Sequence, residues 1–179
     1  MSPNKLPWNV PVSLSGIPEG GKRFELVADE PTRAQIATVA GLRSLSRFHA
    51  TFDVTRHGAD GLRVNGKVSA SVGQNCVVTL DPLDNDVSEE IDIVFAPSRA
   101  GAAAKNGDED IETVQGDDSE TLTGDTVDLG ALATEFMMLG IDPYPRKPGV
   151  TFEPPAAEDE TPHPFAALAA LKKGQDDQK

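Results

Sequence analysis

The stretch from residue 45 to residue 72 constrains the fold more than any other part of this chain. Phe48, Ala50, Phe52 and Val54 alternate with Arg47, His49, Thr51, Asp53 and Thr55. After His57-Gly58-Ala59-Asp60-Gly61 the alternation resumes, with Leu62, Val64, Gly66, Val68, Ala70 and Val72 against Arg63, Asn65, Lys67, Ser69 and Ser71. Side chains that change face at every residue belong to a strand, and a Gly/Asp cluster between two such runs is a hairpin turn. The pattern predicts strands over 45–56 and 62–72, paired antiparallel, with one face in a core and one in water.

Weaker signals extend this unit. Trp8, Val10, Val12 and Leu14 share one parity over 7–15, and the prolines fall on the other, which suits an edge strand. Phe24, Leu26 and Ala28 mark a short strand. Asp29 offers a cap to a helix with Pro31 in its first turn, a stripe of Ala34, Ile36, Val39 and Ala40, and Gly41 at its end. Cys76 to Leu80 reads as a short strand, Asp81 to Asp86 as a turn, and Val87 to Phe95 as a return strand. Asp128 caps a second helix with Leu129, Leu132, Ala133, Phe136 and Leu139 on its buried stripe and Gly140 as its stop. The expected class is α+β, an antiparallel sheet of about five to seven strands with two or three short helices.

The apolar share is 38%, with 16 Gly and 14 Pro in 179 residues, so a modest core with sizeable loops is expected. From Pro97 to Asp125 few side chains larger than Ala are apolar, and residues 98–125 are expected to form a flexible acidic loop. The domain is read as 1–152. Residues 153–179 follow as an acidic, Pro-rich linker and a short amphipathic segment with Phe165, Leu168 and Leu171 on one side, expected to bind a partner.

Charge is distributed unevenly. Residues 1–70 carry nine Lys/Arg and six Asp/Glu, whereas residues 71–179 carry seven and twenty-three, within a net charge of −13. Nucleic-acid affinity comes largely from neutralising phosphates. The chain as a whole is therefore expected to repel RNA and DNA, and no DNA partner is expected. RNA contact, if made, falls to Arg33, Arg43, Arg47, Arg56, Arg63 and Lys67 in the basic part. No apolar run reaches the ~18 residues of a membrane span. No apolar segment follows Met1-Ser2-Pro3-Asn4-Lys5 as in a secretory signal, and a single cysteine suits a reducing compartment, so a cytoplasmic protein is expected.

No catalytic or cofactor motif stands out. His49, His57 and His163 have no ligand spacing, so no metal is expected, and nucleotide and nucleophile-elbow signatures are absent. Cys76 has no basic residue within eight positions to activate it and reads as a small buried residue. Asp128 and Glu135 lie two helical turns apart and share a face, which reads as a cap and a boundary carboxylate rather than an acid–base pair. An enzyme is not expected, nor is a cofactor.

An ordered set of segments nevertheless resembles a family. It comprises Val64-Asn-Gly-Lys-Val-Ser-Ala-Ser-Val72 running into Gln74-Asn75-Cys76, then Ile91-Asp-Ile-Val-Phe95-Ala-Pro97. Val127-Asp128-Leu129 with Glu135 follows, then Asp142-Pro143-Tyr144-Pro145-Arg146 and finally His163-Pro164-Phe165-Ala-Ala-Leu168. Over roughly residues 8–173 this is similar to the YceD family, the large ribosomal RNA subunit accumulation proteins. The resemblance implies a non-enzymatic part in accumulation or assembly of large-subunit ribosomal RNA. Its motif positions here are Cys76, Asp128, Leu129, Glu135, Pro143, Pro164, Phe165 and Leu168. Many members carry Cys-x-x-Cys, but here Thr79 stands in the second position, so no local two-cysteine chelate or disulfide forms. The implied partner is pre-ribosomal RNA, a basic ribosomal protein or an assembly factor. The alternative is an acidic adaptor or chaperone for a basic ribosomal protein, without RNA contact of its own.

Overall fold

The computed structural model describes residues 6–97, 119–122 and 124–152. The elements are β1 (Pro11–Ser13), a 3-10 turn (Leu14–Gly16), β2 (Lys22–Val27), α1 (Glu30–Val39), β3 (Ser44–His57), β4 (Gly61–Asn75), β5 (Pro82–Pro97), β6 (Ser119–Leu122), β7 (Thr126–Asp128) and α2 (Leu129–Leu139). Five strands form one sheet in the order β2-β3-β4-β5-β6, and β1 pairs with β7 in a second, small sheet. All pairings are antiparallel except β5 with β6. The class is α+β, as the alternation predicts.

The hairpin of β3 and β4 is the centre. Phe48, Ala50, Phe52 and Val54 are buried opposite Ala70, Val68, Gly66 and Val64. Leu45 belongs to the outward parity, yet it is buried against Val72, because a bulge between Leu45 and Arg47 inserts Ser46 and resets the face. Gly66 lies opposite Phe52 with no space beside it: a Cβ there would sit 2.5 Å from the Phe52 ring and 2.4 Å from the Thr51 carbonyl oxygen.

The second helix and the β1–β7 pair complete the core. Leu129, Leu132, Ala133 and Met137 of α2 are buried, as are Val12 and Val127. Trp8 meets Phe48 edge-on at 4.8 Å between centroids. Two helix stripes differ from the pattern expected. In α1 it is Ile36 and Ala37 that are buried, while Val39 is 47% exposed; in α2 Met137 and Thr134 are buried and Leu139 is 78% exposed. Burial stops at Ala37 in α1 and at Met137 in α2, so the apolar residue that ends each helix lies beyond the buried stretch.

Three segments depart from the sequence reading. Cys76 to Leu80 is a turn, not a strand, and Asp81 to Asp86 belongs to the turn's end and the start of β5. Asp84 and Asp86 look like turn residues until the fold sets Arg43 and Arg47 beside them. Residues 7–15 give only the three-residue β1 before the 3-10 turn begins at Leu14. Within 98–125, Ser119–Leu122 is strand β6; residues 98–118 and 123 lie outside the described residues.

Candidate functional site

Three places hold the residues singled out above. The first is the turn at Cys76. The Cys76 N–H donates to the Asp81 carbonyl at 2.8 Å and the Leu80 N–H donates to the Cys76 carbonyl at 2.9 Å, which closes the loop tightly. Leu80 pays for that closure with a φ of 61°, rare for a branched residue, and its side chain is 76% exposed. A strap over 142–147 locks the turn from outside: the Val77 N–H donates to the Pro145 carbonyl at 2.9 Å, and Lys147 Nζ to Asp81 Oδ2 at 3.0 Å. Gln74 Nε2 donates to the Asp142 carbonyl at 2.8 Å. Pro143, one of the motif positions, is exposed on this strap, and Pro145 is buried.

Cys76 is fully buried at the centre of that arrangement. The Thr79 hydroxyl and the backbone N–H groups of Lys147, Thr79 and Val78 face its sulfur, and together they outweigh burial and pull the thiol down to about 6. The residue in the place of a second cysteine is thus itself a partner of the sulfur. Cationic side chains are not needed for this, since N–H donors favour the thiolate by the same physics. Lys147 and Thr79 likewise hold the Asp81 carboxyl below its usual range.

The pH dependence follows from the direction of the shift. The folded value lies below the unfolded 9.0, so the stabilising contribution is complete above pH 9.0 and is lost as pH falls to about 6. The stability difference between the natural chain and Cys76→Ala is expected to shrink over that interval in urea titrations at a series of pH values. The ultraviolet thiolate band of the folded protein should titrate near the lower limit and be missing from Cys76→Ala.

The second place surrounds Asp128. Its Oδ1 accepts from the N–H groups of Gly130 at 3.0 Å and Ala131 at 3.1 Å, capping α2, and from the Val10 N–H at 2.7 Å. Its Oδ2 accepts from Asn9 Nδ2. The Leu129 N–H donates to the Val10 carbonyl at 3.0 Å. The carboxylate therefore fastens the N-terminal segment to the start of α2. Leu129 is fully buried, whereas Glu135 is exposed. Asp128 and Glu135 both line a cleft of about 200 Å³ together with Phe95, Leu122 and Leu132.

The third place gathers the basic candidates, with Arg33 on α1 and the others on or beside β3 and β4. Arg33 donates to the carbonyls of Ala28 at 2.7 Å and Leu45 at 3.2 Å, and Arg56 to the carbonyl of Ile17 at 2.8 Å. Arg43, Arg47 and Arg63 reach carboxylates of β5: Asp84 at 3.2 Å, Asp86 at 3.4 Å and Asp92 at 2.7 Å. The Arg63–Asp92 pair is two-pronged and holds the Asp92 carboxyl below its usual range. Lys67 lies between Thr51 and Glu90 in register and makes no ion pair among the described residues. The sequence could not show this, because the partners of Arg43, Arg47, Arg56 and Arg63 are distant along the chain and those of Arg33 are backbone carbonyls.

Among the described residues no group of three or more His, Cys, Asp or Glu is placed to hold a metal ion. Pro164, Phe165, Leu168 and Leu171 lie outside the described residues. A family model described as large ribosomal RNA subunit accumulation protein YceD matches residues 64–172, more than half of the chain. The match starts inside β4, later than the resemblance read from about residue 8, and it includes the Cys76 turn, the Asp128 cap and the strap. No curated protein and no solved structure matches the chain.

Proposed function

Since this chain belongs to the YceD family, we propose that it supports accumulation of large-subunit ribosomal RNA as a binding factor, without catalysis, in the cytoplasm. The family match over residues 64–172 carries this reading. No helix among the described residues is long and apolar enough to cross a membrane. In a strain lacking the protein, large-subunit ribosomal RNA is expected to fall relative to small-subunit RNA and to recover on complementation. An unchanged ratio would overturn the reading.

A specific observation favours indirect action. Five of the six basic candidates are engaged by carbonyls or carboxylates of the chain itself, within a protein of net charge −13. A basic ribosomal protein, held by attraction that salt screens, fits that surface better than bare RNA. Crosslinking in cells, with both bound RNA and bound protein identified, separates the two: a basic protein without direct RNA adducts supports the adaptor, and RNA adducts on β3 and β4 support direct contact.

We further propose that 1–152 is the folded domain and that Phe165, Leu168 and Leu171 form a partner-binding segment on the 153–179 tail. An i, i+3, i+6 triplet has too little apolar area to order ten residues by itself. Deleting 160–179 is therefore expected to leave the melting temperature nearly unchanged while lowering ribosomal RNA accumulation. A large drop in melting temperature would place the segment in the core.

A further inference from the structure

Strand β2 ends the sheet, and its outer edge meets no other strand among the described residues. The Ala28 N–H donates to the Phe48 carbonyl at 3.0 Å, directly across the register that continues Val27 with His49. Bonded pairs alternate along an antiparallel ladder. Lys22, Phe24 and Leu26 therefore bond to β3, and the backbone groups of Arg23, Glu25 and Val27 point to the open edge. No other backbone or side-chain hydrogen bond among the described residues takes them up. The side chains of Arg23 and Glu25 share the outer face of the sheet with Asp53 and Thr51, while Phe24 and Leu26 lie on the core side, only half-buried.

Charged residues on an edge strand ordinarily discourage pairing with another chain. Here they alternate in sign: Arg23 lies 3.9 Å from Glu25 and 3.8 Å from Asp53 of its own chain, both long and exposed contacts, and one pairing of two copies adds an opposite charge across the edge to each. Two copies of β2 joined antiparallel around a twofold axis must set outward-pointing residues opposite each other. With the axis at Arg23 or at Glu25, identical charges meet. With the axis at Phe24, Arg23 faces the partner's Glu25 and Glu25 faces the partner's Arg23. In that register Phe24 meets the partner's Phe24 in the close, non-bonded position where aromatic pairs pack best. Lys22, whose ammonium already lies 5.0 Å over the Phe24 ring, comes opposite the partner's Leu26.

We propose that the β2 edge is a self-recognition site: two copies of this chain pair through Lys22–Leu26 about an axis at Phe24 and join their five-stranded sheets into one. The inference is independent of the ribosomal reading. It concerns which surface meets a second copy, whatever else the protein binds.

Sedimentation velocity on the full chain over a dilution series tests it. The natural chain is expected to reach twice the chain mass in a concentration-dependent way; a monomer at every concentration overturns the proposal, and means that the edge is free or is covered by the chain's own remaining residues. Arg23→Glu and Glu25→Arg should each weaken self-association by roughly tenfold or more, because each sets like charges opposite at both positions. Mixed in equal amounts, the two variants should form a heterodimer, since every pair across the axis is then opposite in sign. Failure of the mixture to associate more tightly than either variant overturns the register. Glu25→Pro removes an outward N–H without touching a bond to β3, so it should abolish the dimer while circular dichroism and melting temperature hold. A dimer that survives it would also overturn the proposal. Should that variant unfold, the charge-swap mixture decides alone.

Discussion

Gly66→Val is expected to destabilise the protein by about 3 kcal/mol, at the upper end of what overpacking a filled core costs. The new Cβ would approach the Phe52 ring to 2.5 Å and the Thr51 carbonyl oxygen to 2.4 Å. Neither neighbour can give way cheaply. Phe52 is 1% exposed, and the Thr51 carbonyl belongs to the backbone of the central hairpin. The two methyl groups of valine then add volume where the ring already fills it. Urea unfolding should show a lower midpoint with an unchanged slope. Gly66→Ala should lie between the natural chain and the valine variant. A valine variant as stable as the natural chain would mean that the two strands separate easily at this point, contrary to the register of β3 with β4, which runs unbroken from Arg47 opposite Ser71 to His57 opposite Gly61.

Asp128→Ala should cost nearly as much, about 2–3 kcal/mol, because one carboxylate serves two structural purposes. As a cap it accepts from Gly130 and Ala131. As a fastener it accepts from the Val10 N–H and from Asn9. Alanine leaves the cap donors unanswered and releases the segment that carries Trp8 onto Phe48. Asp128→Asn keeps an oxygen at the same place and asparagine is a good cap. Its NH2 replaces the oxygen to which Asn9 donates, so Asn9 must turn its own amide oxygen toward the new group; with that turn made, the loss is the charge at the helix N-terminus, about 0.3–1 kcal/mol. Urea unfolding of both variants tests the distinction. Equal losses for alanine and asparagine would point to the charge itself rather than to the accepted hydrogen bonds.

The hairpin of β3 and β4 was legible because alternation is a local property: Phe48, Phe52, Val64 and Val68 declare their face whatever surrounds them. Other features depend on contacts the sequence does not display. Cys76-Val-Val-Thr-Leu80 has the β-branched composition of a strand, but the Val77 N–H is taken by Pro145, nearly seventy residues away, and the segment closes on itself. Asp84 and Asp86 carry turn chemistry, yet across from β4 with arginines beside them they extend β5. The bulge at Ser46 has no signature in a polar Ser-Arg pair; it is visible only in that Leu45 must be buried. The candidate basic residues were identifiable one by one, but the carbonyls and carboxylates that engage them were not. The lowered thiol of Cys76 was hidden for a related reason: beside the Thr79 hydroxyl its donors are backbone N–H groups, which every residue but proline owns.

The parallel step from β5 to β6 has a consequence for how the chain tolerates change in length. Val94 stands opposite Ser119 and Pro97 opposite Leu122, so the chain that leaves β5 must return to a point only about 10 Å away, given ordinary strand spacing and rise. A tight turn cannot join parallel neighbours, whose connection takes a dozen or more residues, and the sequence between these two anchors is longer than that. Closing a flexible segment costs little more as it lengthens, about 0.6 kcal/mol for each doubling. The two anchors on the sheet, rather than the number of residues between them, therefore set the geometry. This junction is where the chain can gain or shed a segment, or accept an inserted probe, while the sheet on either side keeps its register.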